Sequence, residues 1–217
     1  MTSGPRIACN PPRSEHLADR PKADLRPILL ARRAALDIDT RKRWDREISA
    51  HVMAWWQANR PPMLGVYWAL RSEPDLQALY AELADNGVHL ALPVVLEKNA
   101  PLAFARWQPG EAMAQDKMGI PVPAQLRMLP CPPALLVPCL GYNPERLRLG
   151  YGGGFYDRTL VEAAESAEAT ETAEVSGTGR PVRTATVGIG YACMAARFTG
   201  DPHDIALDCI ITEAGLV

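Results

Sequence analysis

Four glycines lie within five residues of one segment, residues 149–160 (LGYGGGFYDRTL), at positions 150, 152, 153 and 154. Glycine permits a positive φ and lacks the Cβ that would keep an anion from the backbone, so successive N–H groups can converge on phosphate oxygens at a helix start. The pattern is not a P-loop, because no Gly-Lys-Ser/Thr follows, and Phe155 breaks the dinucleotide pattern Gly-x-Gly-x-x-Gly. The loop therefore predicts binding of nucleotide phosphates, with a tight strand-to-helix turn as the alternative.

Charged and aromatic side chains flank this loop. Arg148 precedes it, and Tyr156, Asp157 and Arg158 follow it. An arginine can donate two hydrogen bonds to one phosphate, and a carboxylate in the first helical turn can face a Mg²⁺ that bridges two phosphates. The alternatives are an ordinary surface arginine for Arg148 and a helix N-terminal charge for Asp157.

The composition limits the other classes of function. The chain has 217 residues, and 23 Lys+Arg against 25 Asp+Glu leave a net charge of −2, which does not indicate a nucleic-acid-binding surface. No stretch approaches the ~18 consecutive apolar residues that a membrane helix needs. The five cysteines form no Cys-x-x-Cys pair and the four histidines show no metal-ligand spacing. We expect a cytoplasmic protein that binds neither membrane nor nucleic acid.

The elements that position the loop alternate between strand and helix. Apolar runs predict strands at 63–70, 88–95, 102–107, 134–140, 184–191 and 209–212. Apolar spacings of three and four predict helices at 23–35 and 74–86, and a further helix, capped by Asp39 or Thr40, that carries Trp44, Ile48, Val52, Trp55 and Trp56. This order predicts an α/β layered domain with a largely parallel sheet flanked by helices.

The domain organisation follows from length and local composition. At about 150 residues per domain, the chain has room for one domain with an extension. Residues 1–21 are polar and rich in proline, which predicts a disordered N-terminal extension, and residues 22–217 are expected to form a single α/β domain. The Ala-, Glu- and Thr-rich residues near 162–182 predict a surface insertion.

Taken with its flanks, LLVPCLGYNPERLRLGYGGGFYDRTL resembles the signature region of the 5-formyltetrahydrofolate cyclo-ligases, also called methenyltetrahydrofolate synthetases. The later segments TVGIGYA and HDIALDCIITE resemble the final strands of that family. The resemblance covers about residues 22–213. It implies an α/β fold like that of sugar-phosphate isomerases and CoA-transferases, and a monomer. It also implies an enzyme that uses ATP and Mg²⁺ to cyclise 5-formyltetrahydrofolate to 5,10-methenyltetrahydrofolate through a phosphorylated imidate, with release of ADP and phosphate.

The resemblance also implies roles for individual residues. Arg148 and Tyr156 are the expected catalytic residues, Asp157 the Mg²⁺ ligand, and Glu73, Trp107 and Tyr156 the residues that bind the reduced folate. The expected ATP-binding residues are Lys22, Arg26, Arg148, Gly150, Gly152, Gly153, Gly154, Phe155 and Tyr156. The residue types alone leave alternatives open. Lys22 and Arg26 could lie on a solvated helix face. Glu73 could be an acid at a helix N-terminus, and Trp107 could be a core residue.

The chain departs from the family pattern at four positions. Gly153 stands where many relatives have Lys, Val122 where a Glu is usual, Met194 where a Gln is usual and Leu76 where a Thr is usual. Two alternatives therefore remain open. One is a catalytically silent nucleotide-binding relative, and the other is an enzyme that transfers phosphate from ATP to another small substrate.

Overall fold

The computed structural model describes residues 20–173 and 183–217. Almost all of the predicted N-terminal extension lies outside the described residues. The α-helices are α1 (Lys22–Ala34), α2 (Ile38–Asn59), α3 (Gln77–Asp85) and α4 (Phe155–Ala173), and a short 3₁₀ helix spans Ala192–Met194. The helix α4 runs through much of the predicted insertion near 162–182, and residues 174–182 lie outside the described ones.

An eight-stranded mixed sheet forms the centre of the domain. Its strands, in chain order, are β1 (Met63–Gly65), β2 (His89–Val94), β3 (Ala103–Trp107), β6 (Met128–Leu129), β7 (Ala134–Pro138), β10 (Ala185–Ile189), β11 (Cys209–Thr212) and β12 (Gly215–Leu216). The spatial order is β12-β11-β10-β7-β1-β2-β3-β6. The five central strands, from β11 to β2, are parallel, and the outer pairs are antiparallel. The predicted α/β fold with a largely parallel sheet is confirmed.

Two small antiparallel ribbons complete the strands. They pair β4 (Met113–Gln115) with β5 (Pro121–Pro123), and β8 (Gly141–Tyr142) with β9 (Arg148–Leu149). The second ribbon lies between β7 and α4. It therefore delivers the glycine-rich segment to the start of α4.

The helices pack on the sheet as their apolar spacing predicts. In α1, Leu25 and Leu29 are four residues apart and fully buried, and Pro27 is exposed in the second turn. In α2, Ile48, Val52 and Trp56 are buried in the main core, which confirms the apolar face predicted for that helix.

The start of α2 differs from the prediction. The cap is Asp37, whose side chain accepts a hydrogen bond from the Thr40 backbone N–H at 2.8 Å. The prediction of Asp39 or Thr40 as the cap was wrong by two to three residues. Asp37 and Asp39 are equally good capping types, and the sequence pattern did not distinguish them.

The first strand is shorter than predicted. The ladder of β1 ends at Gly65, and after one more bond, from Val66 N–H to the Ala91 carbonyl, the chain leaves the sheet. It then turns through Arg71 and Ser72, whose φ values are 47° and 63°. Such left-handed conformations are uncommon for residues other than glycine, and the apolar run 63–70 carries no signal for them.

The strand order places a topological switch point at the carboxyl ends of β1 and β7, where open α/β sheets form a ligand-binding crevice. From β1 the chain passes through α3 to β2 on one side, and from β7 it passes through α4 to β10 on the other. The connections after these two neighbouring parallel strands therefore diverge, and ligands of open α/β sheets bind at such a point. One connection carries Glu73 and the other carries the glycine-rich loop 150–154.

Within the described ranges, no helix is long and apolar enough to cross a membrane.

Candidate active site

Three glycines of the loop each lie against the guanidinium of a different arginine. A Cβ added to Gly150 would lie 2.3 Å from the guanidinium of Arg148. A Cβ at Gly152 would lie 3.5 Å from that of Arg26, and a Cβ at Gly154 would lie 2.7 Å from that of Arg158. Gly152 and Gly154 also have positive φ values of 91° and 67°. The glycines thus shape the loop and let three cations pack against its backbone.

Arg148 links the loop to the first turn of α4. Its side chain is 7% exposed, and Nη2 donates to Asp157 Oδ1 at 2.6 Å. Its guanidinium lies 5.3 Å from the centre of the Tyr156 ring, and Nε has no hydrogen-bond partner in the described part of the chain. A buried arginine nitrogen without an acceptor is a donor available to an anionic ligand. The structure therefore brings together three of the predicted site residues, Arg148, Tyr156 and Asp157.

Arg26 joins α1 to the glycine loop, because its Nε donates to the Gly150 carbonyl at 3.0 Å. Lys22, four residues earlier, instead pairs with Asp201 at 2.8 Å and with Asp204. Burial lowers the pKa of the Lys22 ammonium, but the bonds to the two aspartates outweigh it and raise the pKa above its usual value. The two predicted phosphate ligands are thus placed differently, with Arg26 at the loop and Lys22 held by carboxylates.

Arg158 packs on the outer side of the same loop. Its Nη2 donates to the Gly153 carbonyl at 2.9 Å, and its guanidinium lies 5.3 Å from the centre of the Phe155 ring. The predicted site residue Gly153 therefore has a cationic group next to it, although the position itself carries no side chain.

Glu73 lies across the crevice and is 5% exposed. Its Oε2 accepts from the Leu70 backbone N–H at 2.8 Å, and its Oε1 accepts from the Tyr151 hydroxyl at 2.6 Å. Burial raises the pKa of the Glu73 carboxyl above its usual value, although these hydrogen bonds and the nearby arginines oppose the shift. The bond to Tyr151 brings Glu73 into direct contact with the glycine loop.

Arg33 and Tyr151 also belong to this site, although neither was predicted as a site residue. Arg33 is 1% exposed in the last turn of α1, and its Nη2 hydrogen bonds to the Tyr151 hydroxyl. The spacing held a signal for Arg33, because it lies seven residues after Arg26 and hence on the same face of α1. Tyr151 lies within the glycine loop, but nothing in the sequence showed that it contacts Glu73.

Trp107 is buried away from the glycine loop. It is 2% exposed, and its ring makes edge contacts with the rings of Trp68 at 6.2 Å and Tyr80 at 6.0 Å. Trp107 pairs with Leu90 near the amino end of β2, so the sheet register places it at the end opposite the loops that carry the other site residues. Its indole N–H has no hydrogen-bond partner within the described chain.

Three of the four departures from the family pattern are buried packing positions. Val122 packs with Val94 and Ala105 in a small apolar cluster, whereas Leu76 and Met194 lie in the main core. All three side chains are 3% exposed or less. An apolar residue at these positions is therefore compatible with the fold.

Asp157 is the carboxylate available for a metal ion at the glycine loop. One of its oxygens accepts from Arg148, and its side chain is 36% exposed. The described residues contain no group of three His, Cys, Asp or Glu side chains that could hold a metal ion. Mg²⁺ in phosphate-transfer sites is commonly held by one or two carboxylates plus the phosphates, so Asp157 fits that mode and would need phosphate oxygens as further ligands.

Comparisons with known proteins agree on one group of enzymes. A sequence model of the 5-formyltetrahydrofolate cyclo-ligase family matches residues 18–213. The chain is 29% identical to a 5-formyltetrahydrofolate cyclo-ligase of Mycolicibacterium smegmatis over 213 residues, which cover 93% of this chain and 98% of that protein. It is 28% identical to the Escherichia coli 5-formyltetrahydrofolate cyclo-ligase over 138 residues, or 61% of this chain and 76% of that protein.

Two solved structures share the fold. One is a 5,10-methenyltetrahydrofolate synthetase from Mycoplasma pneumoniae, with a TM-score of 0.67 and 21% identity over 89% of this chain and 99% of that one. The other is an NMR structure of the Aquifex aeolicus 5,10-methenyltetrahydrofolate synthetase, with a TM-score of 0.71 and 23% identity over 90% of this chain and 91% of that one. The eight-stranded sheet and its flanking helices are therefore an architecture known from solved structures.

Proposed function

Because the chain belongs to the 5-formyltetrahydrofolate cyclo-ligase family, we propose that the crevice between β1 and β7 holds ATP at the glycine loop and the reduced folate near Glu73. The activity is that of a 5-formyltetrahydrofolate cyclo-ligase, a ligase of folate and one-carbon metabolism that uses ATP. The observation that supports the nucleotide assignment best is the packing of Arg26, Arg148 and Arg158 against three glycines of one loop.

The glycine loop and its arginines have the chemistry of a triphosphate site. The start of α4 supplies backbone N–H groups and the positive end of a helix dipole, which favour an anion. Arg148 is buried and Arg158 is half-buried, and each has a buried Nε that lacks a partner within the described ranges. Arg26, Gly150, Gly152, Gly153, Gly154 and Phe155 complete the proposed binding surface, and Lys22 joins it if phosphate displaces the two aspartates.

Mg²⁺ bound at Asp157 would supply charge neutralisation between the phosphates. The chain's own contribution at this point is to hold the Asp157 carboxylate in place through Arg148. We propose that Arg148 and Tyr156 line the path of the transferred phosphoryl group, because the guanidinium lies over the Tyr156 ring at the start of α4. Burial raises the pKa of the Tyr156 phenol, so its hydroxyl stays protonated and can donate a hydrogen bond.

The proposed reaction proceeds in two steps. A formamide oxygen is a weak nucleophile and a poor leaving group, so the formyl oxygen first attacks the γ-phosphorus, an O–P bond forms and ADP leaves. The resulting imidate phosphate carries a good leaving group. N10 then attacks the formyl carbon and loses its proton, the C–O bond breaks, and phosphate departs to leave the 5,10-methenyl cation. The protein positions the reactants and stabilises charge.

An oxygen-isotope experiment tests this sequence of steps. With ¹⁸O in the formyl group of the substrate, the proposed route moves that oxygen into the released phosphate. We expect one labelled oxygen in each phosphate formed, measured by mass spectrometry, with unlabelled substrate as the control. Unlabelled phosphate released together with methenyl product would contradict the imidate route.

Three further assignments belong to the same proposal. Trp107 itself lies at the opposite end of the sheet, so its proposed contribution to the folate side is indirect, through its edge contact with the half-buried Trp68. The enzyme acts as a cytoplasmic monomer on reduced folate and ATP, and sedimentation of the full chain measures its oligomeric state. The N-terminal residues 1–21 are an extension of one catalytic domain.

A further inference from the structure

Arg33 is a buried cation that contacts both loops of the crevice. Its Nε donates to the Arg71 carbonyl at 3.1 Å, and its Nη2 donates to the Tyr151 hydroxyl. The first contact lies in the connection after β1 and the second in the glycine loop. Nη1 of Arg33 is buried without a partner among the described residues, so the bonds of Nε and Nη2 are the ones that connect α1 to the two loops.

The Tyr151 hydroxyl has a fixed hydrogen-bond direction. An arginine has no acceptor, so the hydroxyl must accept from Arg33, and its single proton is then free to be donated to Glu73 Oε1 at 2.6 Å. The centre of the Tyr151 ring lies close to two guanidinium groups, 5.6 Å from that of Arg33 and 5.3 Å from that of Arg71. These contacts hold the tyrosine in one orientation although the residue is 37% exposed.

This arrangement fixes the orientation of the Glu73 carboxyl group. Oε1 accepts from Tyr151 and Oε2 accepts from the Leu70 N–H, so both oxygens act as acceptors. The two residues before Glu73 have left-handed φ values, a conformation that is uncommon outside glycine. The bond from Arg33 to the Arg71 carbonyl stabilises the turn at that point.

We propose that Arg33 is a positioning residue that orients Glu73 for the reduced folate through the Tyr151 hydroxyl. This inference rests on the proposed function, in which Glu73 binds the folate. Neither Arg33 nor Tyr151 needs to touch the reacting atoms for this role. Their effect reaches the folate through Glu73.

A double-mutant cycle tests the proposal. We would measure the dissociation constant of 5-formyltetrahydrofolate by calorimetric titration for the wild type, Tyr151→Phe, Glu73→Gln and the double variant. We expect Tyr151→Phe to weaken folate binding about tenfold, the size expected for a hydrogen bond to a charged group. In the Glu73→Gln background the same change should alter binding by less than about twofold, because the two residues act as one unit.

Matched variants separate positioning from general damage. Tyr191→Phe removes a hydroxyl that donates to the Asp45 carboxylate at 2.7 Å, and it should leave folate affinity unchanged. Arg33→Met should weaken folate binding as Tyr151→Phe does, while the dissociation constant of ATP stays within about twofold for both variants. Equal losses for ATP and folate, or a full effect of Tyr151→Phe in the Glu73→Gln background, would overturn the proposal.

The titrations do not depend on turnover, so they separate the inference from the proposed function. If the wild type binds 5-formyltetrahydrofolate but forms no methenyl product, the proposed reaction is contradicted. The double-mutant cycle still measures the coupling between Tyr151 and Glu73 in that case. A wild type that forms product while Tyr151→Phe binds folate normally contradicts the inference alone.

Discussion

Arg148 donates to Asp157 across the start of α4 at 2.6 Å, and the two side chains differ in burial, at 7% and 36% exposed. The Arg148 side chain is thus enclosed by the protein, whereas the Asp157 carboxylate is partly exposed to solvent. One oxygen of Asp157 is available for a cation while the other orients Arg148. This pair links the proposed phosphate site of the glycine loop to Asp157, the proposed metal ligand.

Replacement of Asp157 tests the metal assignment. We expect Asp157→Ala to reduce turnover about 100-fold and to abolish its dependence on Mg²⁺ concentration, because the loop loses its carboxylate. Asp157→Ala also removes the ion-pair partner of Arg148. This loss should lower the free energy of unfolding by about 1 kcal/mol or less, since Asp157 is partly exposed and solvent screens the pair. The measurement is turnover against Mg²⁺ concentration with a thermal melt. Wild-type turnover with the wild-type Mg²⁺ dependence would remove Asp157 from the site.

Replacement of Gly150 tests the role of the loop glycines. A Cβ at Gly150 would lie 2.3 Å from Arg148 Nη1, so Gly150→Ala must displace the guanidinium. We expect the KM for ATP to rise about tenfold, with little change in the KM for folate. Gly190→Ala is the matched control, because its Cβ would meet Cys139 at an ordinary 3.5 Å. Similar KM values for ATP in both variants would contradict this role.

Replacement of Glu73 separates the two ligands. We expect Glu73→Gln to weaken binding of 5-formyltetrahydrofolate about tenfold and binding of ATP less than about twofold, because Glu73 lies in the connection after β1 and the proposed ATP site is the loop after β7. Calorimetric titration with each ligand measures both effects. Equal losses for the two ligands would show that Glu73 does not belong to the folate side.

Glu73 also predicts a pH dependence of stability. Burial raises the pKa of its carboxyl in the folded protein above the usual value of 4.5. Between 4.5 and that raised pKa the folded state binds more protons than the unfolded state, so the free energy of unfolding falls as pH increases through this window. We expect this contribution to be absent in Glu73→Gln. Denaturant unfolding of the wild type and of Glu73→Gln from pH 4 to 8 measures this contribution. If the free energy of unfolding depended on pH in the same way in both proteins, the expected pKa shift of Glu73 would be contradicted.

Much of the fold was predictable because its strands are nearly continuous apolar runs. The sequence located the five parallel strands, the buried face of α2 and the glycine loop at the start of α4. It could not place the chain between β1 and α3, because the turn at Arg71 and Ser72 depends on a distant contact with Arg33. Local patterns do not report such contacts.

The candidate site was predictable where it is local in sequence. The segment from Arg148 to Asp157 supplies the loop, the flanking arginine and the carboxylate together. The pair Lys22 and Arg26 looked equivalent at a spacing of four, but Asp201 and Asp204, which lie 179 and 182 residues after Lys22, hold that lysine. Tyr151 and Glu73 are 78 residues apart, and only the packing of the two loops brings them together.

Formation of the methenyl product tests the central claim most directly. Purified protein would be mixed with 5-formyltetrahydrofolate, ATP and Mg²⁺, and the product followed by its near-ultraviolet absorbance, with controls that each lack one component. We predict product only in the complete mixture, with one phosphate released for each methenyl group formed. Folded protein that binds ATP but forms no product would contradict the account and favour a silent relative or a different phosphate acceptor.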